Sequence, residues 1–292
     1  MKLDFTREEA RAFLEVMRAE SGLVRLVNPA TQTVYGPAGA PEEHVSCCNL
    51  WGRCERCENC TSLRALKTQG CAYKMELCNH HTFWVVSRYL RIEGTPYVAE
   101  IVTDVTDNLM MDSNQQDEVG RLIQNYNHQL VTDALTGTYN RRFLDESFLP
   151  SLACCREAGI CVSVAMMDFD DFKRVNDDYG HLAGDALLRD AAGFWLRHFN
   201  SRKKGKERMV VRYGGDELLL IACGLRSRAF DTQIREYYGQ MRKICYYTDE
   251  VQIPFTITFG LASSEELGDA WTWEALLELA DKRMYTAKKE HR

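Results

Sequence analysis

The feature that most constrains the fold of this chain is the segment at residues 212–218, Arg-Tyr-Gly-Gly-Asp-Glu-Leu, which lies between two apolar runs. This pattern predicts a β-hairpin in which Gly214 and Gly215 supply the positive φ angles of a two-residue turn. The two glycines also leave a bare backbone against which a ligand can lie. Asp216 and Glu217 follow directly, and their carboxylates suit a divalent cation. Taken alone, the segment is also typical of a solvated hairpin turn.

A second acidic segment lies upstream of the hairpin. Residues 161–167 form a nearly unbroken apolar run, which predicts a strand buried on both faces. Asp168 ends that run, where it can meet Asp216 across a neighbouring strand. Two carboxylates, with waters and substrate phosphates, are what Mg²⁺ usually receives in nucleotide-handling proteins. The alternative is that these aspartates cap the following helix, and for Asp170 and Asp171 we favour capping.

Five blocks of residues, in order, resemble the GGDEF domain, the diguanylate cyclase. Residues 133–143, Asp-Ala-Leu-Thr-Gly-Thr-Tyr-Asn-Arg-Arg-Phe, are similar to the entry motif of that family. Residues 168–177 resemble its metal-and-nucleotide strand and helix, and residues 180–185 continue in the family's spacing. The hairpin at residues 214–218 resembles the family's signature, and residues 280–281 and 284–288 resemble its last helix. Five blocks in order are far stronger evidence than any one of them.

Length, patterning and this resemblance together predict an α+β chain in three parts. We expect a cysteine-rich PAS-like sensor domain at residues 1–106, a signalling helix or coiled-coil linker at 107–131 and a GGDEF domain at 132–292. The PAS-like interpretation depends on an amphipathic helix near residues 5–19, several predicted strands and the exit segment Asp-Val-Thr at 104–106. For the last part the resemblance implies a central, antiparallel-containing sheet wrapped by helices, similar to nucleotidyl cyclases and polymerase palm domains.

The linker carries apolar residues near heptad spacing. They are Leu109, Val119, Ile123, Tyr126 and Leu130. This spacing predicts a short, imperfect coiled coil that pairs two catalytic domains. The alternative is a single amphipathic helix that lies on its own domain.

The resemblance implies a reaction between two GTP molecules, one bound to each subunit of a homodimer. The 3′-hydroxyl of each nucleotide attacks the α-phosphate of the other, pyrophosphate leaves and cyclic di-GMP forms. By motif position, Mg²⁺ or Mn²⁺ is held by Asp168, Asp216 and the backbone carbonyl of Phe169. The family's proposed general base lies at the Asp216–Glu217 pair, next to the attacking hydroxyl.

The resemblance also implies which residues bind the nucleotide. The guanine edge is bound by Asn176 and Asp185, with His181 lining the same pocket and Gly214 and Gly215 beneath the ligand. The triphosphate oxygens are bound by cationic side chains, namely Lys173, Lys288 and Arg292. Two departures from the family's pattern are Leu218, where a phenylalanine is usual, and His291, where a glycine is usual.

Composition excludes some classes of function. The net charge of −6 and the pI near 5.7 argue against a general nucleic-acid binder. The sequence shows no apolar stretch of membrane-spanning length and no signal peptide, so we expect a cytoplasmic protein. The ligand of the sensor domain is unknown. An alternative function is a catalytically silent module that binds GTP or cyclic di-GMP and passes on a signal.

Twelve cysteines lie in unequal clusters, most of them in the first hundred residues. Cys54, Cys57 and Cys60 repeat at every third position, and with Cys48 they form a candidate site for zinc or an iron–sulfur cluster. The alternative is that they are buried, reduced thiols. A third function follows from the metal interpretation, in which the chain is mainly a metal or redox sensor whose cyclase half only dimerises.

Overall fold

The protein is described by a computed structural model that covers residues 3–36, 41–52, 57–107, 113–200, 207–242, 247–248 and 251–290. The chain divides into two compact units. The first comprises residues 1–131 and 145–154, and the second comprises residues 132–144 and 155–292. Among the described residues, no helix is both long enough and apolar enough to cross a membrane.

The first unit is built on a mainly antiparallel sheet. Its elements are β1 Asp4–Phe5, α1 Arg7–Ser21, β2 Leu23–Asn28, β3 Thr33–Tyr35, β4 Pro41–Ser46, a 3-10 helix Cys47–Trp51, α2 Thr61–Thr68, β5 Cys71–Cys78, β6 His81–Ile92, β7 Thr95–Asp104 and α3 Ser113–Gln129. The strand order is β1-β6-β7-β2-β3-β4, and β5 pairs with β6. β6 and β7 form a hairpin, and Gly94 in its turn has a φ of 81°, a backbone angle that favours glycine.

Local interactions explain where α1 begins. Thr6 and Glu9 form a capping box, in which the Thr6 hydroxyl accepts from the Glu9 N–H and the Glu9 carboxylate accepts from the Thr6 N–H. Ala10 and Leu14, four residues apart, are the buried positions of this helix. The helix therefore begins after Thr6.

One face of α3 packs on its own unit. A Cβ atom added to Gly120 would lie 2.3 Å from a Leu77 methyl carbon on β5, and the Asn127 side chain donates to the Met75 carbonyl at 2.9 Å. The opposite face leaves Leu122 and Tyr126 exposed, at 61% and 63% of their surface. This packing agrees with the alternative of an amphipathic helix on its own domain. Leu109 of the predicted heptad lies outside the described residues.

The sequence pattern of residues 142–156 predicts a single helix, and the structure differs from that prediction. The segment forms α4 Arg141–Phe143, a π-helix Leu144–Phe148, a 3-10 turn Leu149–Ser151 and α5 Leu152–Glu157. Pro150 lies in the first turn of the 3-10 element. Proline has no N–H to donate and clashes with the preceding turn, which explains why regular α-helix does not run through this position.

The second unit contains a four-stranded sheet covered by helices. Its elements are β8 Val162–Phe169, α6 Phe172–Tyr179, α7 His181–His198, β9 Arg208–Arg212, β10 Glu217–Cys223, α8 Ser227–Met241, β11 Tyr247–Thr248, β12 Val251–Gln252, β13 Ile257–Ser263, a 3-10 turn Ser264–Glu266 and α9 Trp273–Glu290. The strand order is β13-β8-β10-β9, and every pair is antiparallel. The antiparallel-containing sheet that the resemblance implies is therefore present.

One face of α7 belongs to the core of the second unit. The sequence spacing of five apolar residues predicts a core-facing stripe, and all five are buried, namely Leu187, Leu188, Ala191, Phe194 and Trp195. On another part of the sheet, α9 approaches β13 at Gly260. A Cβ atom added there would lie 2.1 Å from the Ala280 carbonyl oxygen and 2.3 Å from the Met284 nitrogen. Only glycine permits so close a contact between strand and helix backbones.

Candidate functional site

The register of the second sheet gathers acidic residues at one edge. Glu217, the first residue of β10, pairs directly with Asp168 near the end of β8. Directly opposed residues of antiparallel strands project to the same face, so these two carboxylates share a face of the sheet. Asp216 immediately precedes Glu217. The Lys288 ammonium on α9 forms an ion pair with Oδ1 of Asp168.

The connection between β9 and β10 differs from the predicted two-residue turn. Four residues, 213–216, link the strands, and the Tyr213 N–H donates to the Glu217 carbonyl at 2.9 Å. Neither Gly214 nor Gly215 has a positive φ. The expectation of left-handed glycines is therefore wrong, because a four-residue connection does not need the turn geometry of a two-residue hairpin.

Close packing, and not a positive φ angle, explains why residue 214 is a glycine. A Cβ atom at this position would lie 2.5 Å from Oε2 of Glu217, whereas a Cβ atom at Gly215 would have nothing within 4 Å. Gly214 therefore makes room for the Glu217 carboxylate. Gly215 borders open space, where a ligand can approach the backbone.

Burial and neighbouring negative charges raise the pKa of two carboxylates at this edge, Asp168 and Glu217. Burial raises the pKa of Asp168, and the charges of Asp216 and Asp170 raise it further, while Lys288 opposes the shift. Burial also raises the pKa of Glu217, followed in size by the charges of Asp168, Asp216 and Asp281. These groups thus repel one another, and Lys288 only partly relieves that repulsion.

This donor set fits a divalent cation. Asp168, Asp216 and the Phe169 carbonyl supply only oxygen atoms, the donor type that Mg²⁺ and Mn²⁺ prefer. Clustered carboxylates with raised pKa values favour a bound cation over a bare site, because added positive charge stabilises their ionised forms. The oxygen-only donor set and the repulsion between the carboxylates therefore both favour a divalent cation at this edge.

The predicted guanine-binding residues lie on two consecutive helices. Asn176 is on α6 and Asp185 on α7, and Gly180 between the helices has a φ of 86°. A Cβ atom at Gly184 would lie 2.1 Å from the Asn176 side-chain oxygen. The Asn176 side chain thus rests on the α7 backbone at the residue before Asp185.

The remaining predicted ligand-binding residues are less constrained. Lys173 on α6 and His181 at the start of α7 are both exposed. Arg292 lies outside the described residues. Lys288 is the predicted phosphate-binding cation that the structure brings to the acidic edge.

Asp170 does not cap the helix that follows it, so the interpretation as a cap is wrong for this residue. Its carboxylate accepts from the Thr256 and Thr258 hydroxyls, each at 2.6 Å. Asp171 occupies the N-cap position of α6 with a φ of 50°, but its side chain makes no capping hydrogen bond. Neither aspartate therefore acts through the carboxylate–N–H contact that capping requires.

Sequence reasoning missed three further groups around this edge. They are Asp170 with its threonine partners, Asp281 beside Glu217, and the ion pair of Arg212 with Asp133. The sequence does contain the residues concerned. Thr256 and Thr258 lie at the start of a strand, Asp281 lies in the last helix, and Asp133 and Arg212 belong to two of the motifs. None of these signals identifies its partner without the fold.

The cysteine cluster belongs to the first unit. Cys48, Cys57 and Cys60 are buried, while Cys54 lies outside the described residues. Across the residues that are described, no group of three or more histidine, cysteine or acidic side chains is arranged to hold a metal ion. Burial raises the pKa of Cys60, and the neighbouring Cys57 raises it further. The metal assignment stays a prediction, and buried protonated thiols agree with its alternative.

Comparison with known proteins identifies the family of the second half. The sequence profile described as "Diguanylate cyclase, GGDEF domain" matches residues 130–292. The chain is 28% identical over 218 residues to diguanylate cyclase DosC of Escherichia coli K12, covering 70% of this chain and 41% of that protein. It is 29% identical over 173 residues to diguanylate cyclase DgcP of Pseudomonas aeruginosa, covering 58% of this chain and 24% of that protein. The chain thus spans less than half the length of these relatives.

Solved structures agree at the level of the fold. The GGDEF domain of DgcB from Caulobacter crescentus, solved in complex with c-di-GMP, matches with a TM-score of 0.50 and 25% identity over 56% of this chain and 92% of that chain. The coiled coil and GGDEF domain of DgcB give a TM-score of 0.53 at 24% identity, covering 62% of this chain and 93% of that one. Because the family profile covers more than half of its residues, the chain belongs to the GGDEF domain family.

Proposed function

We propose that this protein is a diguanylate cyclase that condenses two GTP molecules into cyclic di-GMP. In each half-reaction, a 3′-hydroxyl oxygen bonds to the α-phosphorus of the other nucleotide. The bond from that phosphorus to the bridging oxygen breaks, and pyrophosphate leaves with the electron pair. The observation that carries the proposal is the acidic edge of the sheet. There Asp168 and Glu217 lie opposite each other on neighbouring strands, Asp216 precedes Glu217, and Lys288 forms an ion pair with Asp168.

The residues of this edge divide the work between them. Asp168, Asp216 and the Phe169 carbonyl would hold Mg²⁺ or Mn²⁺, which when bound neutralises charge developing on the triphosphate. The Asp216–Glu217 pair accepts the proton of the attacking hydroxyl. The raised pKa of Glu217 brings this carboxylate closer to the basicity that a general base needs near neutral pH. Lys288 and Lys173 bind the phosphate oxygens and orient the leaving pyrophosphate.

Guanine specificity is assigned to Asn176 and Asp185. A carboxylate accepts from the N1–H and the exocyclic amine of guanine, and an amide both donates and accepts. The contact of Asn176 with the α7 backbone at Gly184 supports this assignment, because it places the amide one residue before Asp185 on that helix. His181 borders the same pocket, and Arg292 is a further candidate for the phosphates.

Two further parts of the proposal concern assembly and regulation. The product contains two nucleotides, and one site holds one GTP, so we propose a homodimer in which two sites face each other. We also propose that the first unit is a PAS-like sensor domain. Its antiparallel sheet, with helix α2 packed against β5, β6 and β7, supports that interpretation.

Incubation of the purified protein with GTP and Mg²⁺, followed by detection of cyclic di-GMP and pyrophosphate, tests the proposal. We expect product from the natural chain and a loss of at least a hundredfold in Asp216→Ala, because a metal ligand that acts in the transition state is gone. Asp190→Ala, at an exposed position on α7, serves as the matched control. Tight GTP binding by a folded protein without product would instead identify a silent binding module.

A further inference from the structure

Asp170 is joined by three hydrogen bonds to Thr256, which precedes β13, and to Thr258, the second residue of that strand. Its Oδ2 accepts from the Thr256 hydroxyl and its Oδ1 from the Thr258 hydroxyl, both at 2.6 Å. Its backbone N–H donates to the Thr256 carbonyl at 2.9 Å. Both carboxylate oxygens therefore have a hydroxyl donor, and the contact spans 86 residues of sequence.

This arrangement lies where β8 ends and the chain turns into α6. Phe169 pairs with Ile257 and Asp168 pairs with Thr258, so the two threonines flank the last pair of the β8–β13 ladder. Asp171 then adopts a left-handed φ of 50°. A strand end next to a sharp turn frays unless it is held. The three hydrogen bonds of Asp170 supply that restraint.

The hydrogen bonds that Asp170 accepts from the two threonine hydroxyls are strong ones. Hydrogen bonds from hydroxyls to an ionised carboxylate are short and about twice as strong as those between neutral groups. Thr258 is 5% exposed, so little water competes for its hydroxyl. Asp170 therefore acts on the end of β8 through the geometry of these hydrogen bonds.

We propose that Asp170 is a positioning residue for the divalent cation. Together with Thr256 and Thr258 it fixes the end of β8, so that the Asp168 carboxylate and the Phe169 carbonyl are directed toward the ion. Asp170 is not one of the proposed metal ligands; both of its oxygens accept from threonine. The inference rests on the proposed function, in which Asp168 and Phe169 supply metal ligands.

Paired threonine substitutions test this proposal. Thr256→Val with Thr258→Val keeps the β-branched shape and removes both hydroxyls, while Thr256→Ser with Thr258→Ser keeps them. Mn²⁺ affinity is measured by electron paramagnetic resonance, with a GTP analogue that carries a methylene group between the α- and β-phosphorus and cannot react. We expect about tenfold weaker Mn²⁺ binding in the valine pair, as for other lost partners of metal ligands. The serine pair should stay within about twofold of the natural protein, a hydroxyl rescue that a purely steric role cannot produce.

Further variants make the result decisive. Asp171→Asn alters the neighbouring carboxylate and should leave Mn²⁺ affinity unchanged. The valine pair is replaced by a single substitution if circular dichroism shows that it does not fold. Thr256→Val is then compared with Thr256→Ser at this exposed position. Unchanged Mn²⁺ affinity in the valine variants, or equal losses in valine and serine pairs, would overturn the proposal. Because the assay needs no turnover, a failure of the cyclase proposal appears separately, as absence of product from the natural chain.

Discussion

Arg212 donates two hydrogen bonds to the carbonyl oxygen of Gly215, from Nε at 3.0 Å and from Nη2 at 2.7 Å. The Nη1 of the same guanidinium donates to both carboxylate oxygens of Asp133, at 3.0 and 3.2 Å. One side chain thus joins the hairpin to the entry motif, 79 residues away in sequence. The planar fork of arginine makes such a double contact possible.

We expect Arg212→Lys to lower kcat by about tenfold while KM for GTP changes little. A lysine ammonium is a single point of charge and cannot hold Gly215 and Asp133 together, so Asp216, the next residue, loses its placement. Arg208→Lys, on the same strand, is the matched control, because its contact with the Phe199 ring tolerates either cation. Equal kcat values for the two variants would contradict this role.

The Asp133–Arg212 ion pair also predicts a pH dependence of stability. Burial alone would raise the pKa of Asp133, but hydrogen bonds from Thr136 and Arg212 outweigh it, and the pKa lies below its ordinary value of 3.8. The stabilisation is therefore fully present above that value and is lost as pH falls through the lower pKa of the folded state. Asp133→Asn should reduce the free energy of unfolding by about 2 kcal/mol at pH 7.

Denaturant unfolding of the natural protein and Asp133→Asn at pH 7 and pH 3 measures this dependence. The difference between the two proteins should shrink at the lower pH, because pH 3 lies below the ordinary pKa of 3.8 and the unfolded natural protein then takes up a proton at Asp133 more readily than the folded one. A difference that stays constant between these pH values would show that the ionised carboxylate contributes nothing.

The two glycines of the hairpin should respond differently to alanine. Gly214→Ala places a methyl group against the Glu217 carboxylate, so we expect the carboxylate to move and kcat to fall at least tenfold. Gly215→Ala meets no protein atom within 4 Å. Any loss in that variant should come from the ligand and appear in KM for GTP. Steady-state kinetics of both variants, with melting temperatures, separate these effects, and a kcat loss confined to Gly215→Ala would reverse the assignment.

If two sites must face each other, specific activity should rise with protein concentration until the dimer is saturated. Substitution of the exposed residues of α3, Leu122→Asp with Tyr126→Asp, should shift that rise to higher concentration. Leu122 and Tyr126 test dimerisation better than Ile123 and Leu130 do, because the latter two are half-buried in the structure. Gln124→Asp is the control, since it adds charge at an exposed polar position. Activity independent of concentration in a demonstrated monomer would refute the half-site mechanism.

The features that sequence predicts well here depend on local patterns. The apolar run before Asp168 predicts a buried strand, and the stripe of apolar residues on α7 predicts which face of that helix is buried. Both signals lie within the sequence of a single element. The reason for Gly214 was not predictable, since it depends on where the Glu217 side chain turns. The partners of Asp170 were not predictable either, because Thr256 and Thr258 become neighbours only through strand pairing between β8 and β13.

The ion pair between Asp168 and Lys288 closes a loop of 120 residues, the longest separation within the acidic edge. Contacts so distant in sequence form late, after the local structure that brings their ends together. A nascent chain that has completed the four strands of the second sheet still carries Asp168, Asp216 and Glu217 without their lysine. Docking of α9 onto β13 at Gly260 is then the event that supplies the missing positive charge. The acidic edge of the second unit therefore reaches its final charge only when α9 has packed on the sheet.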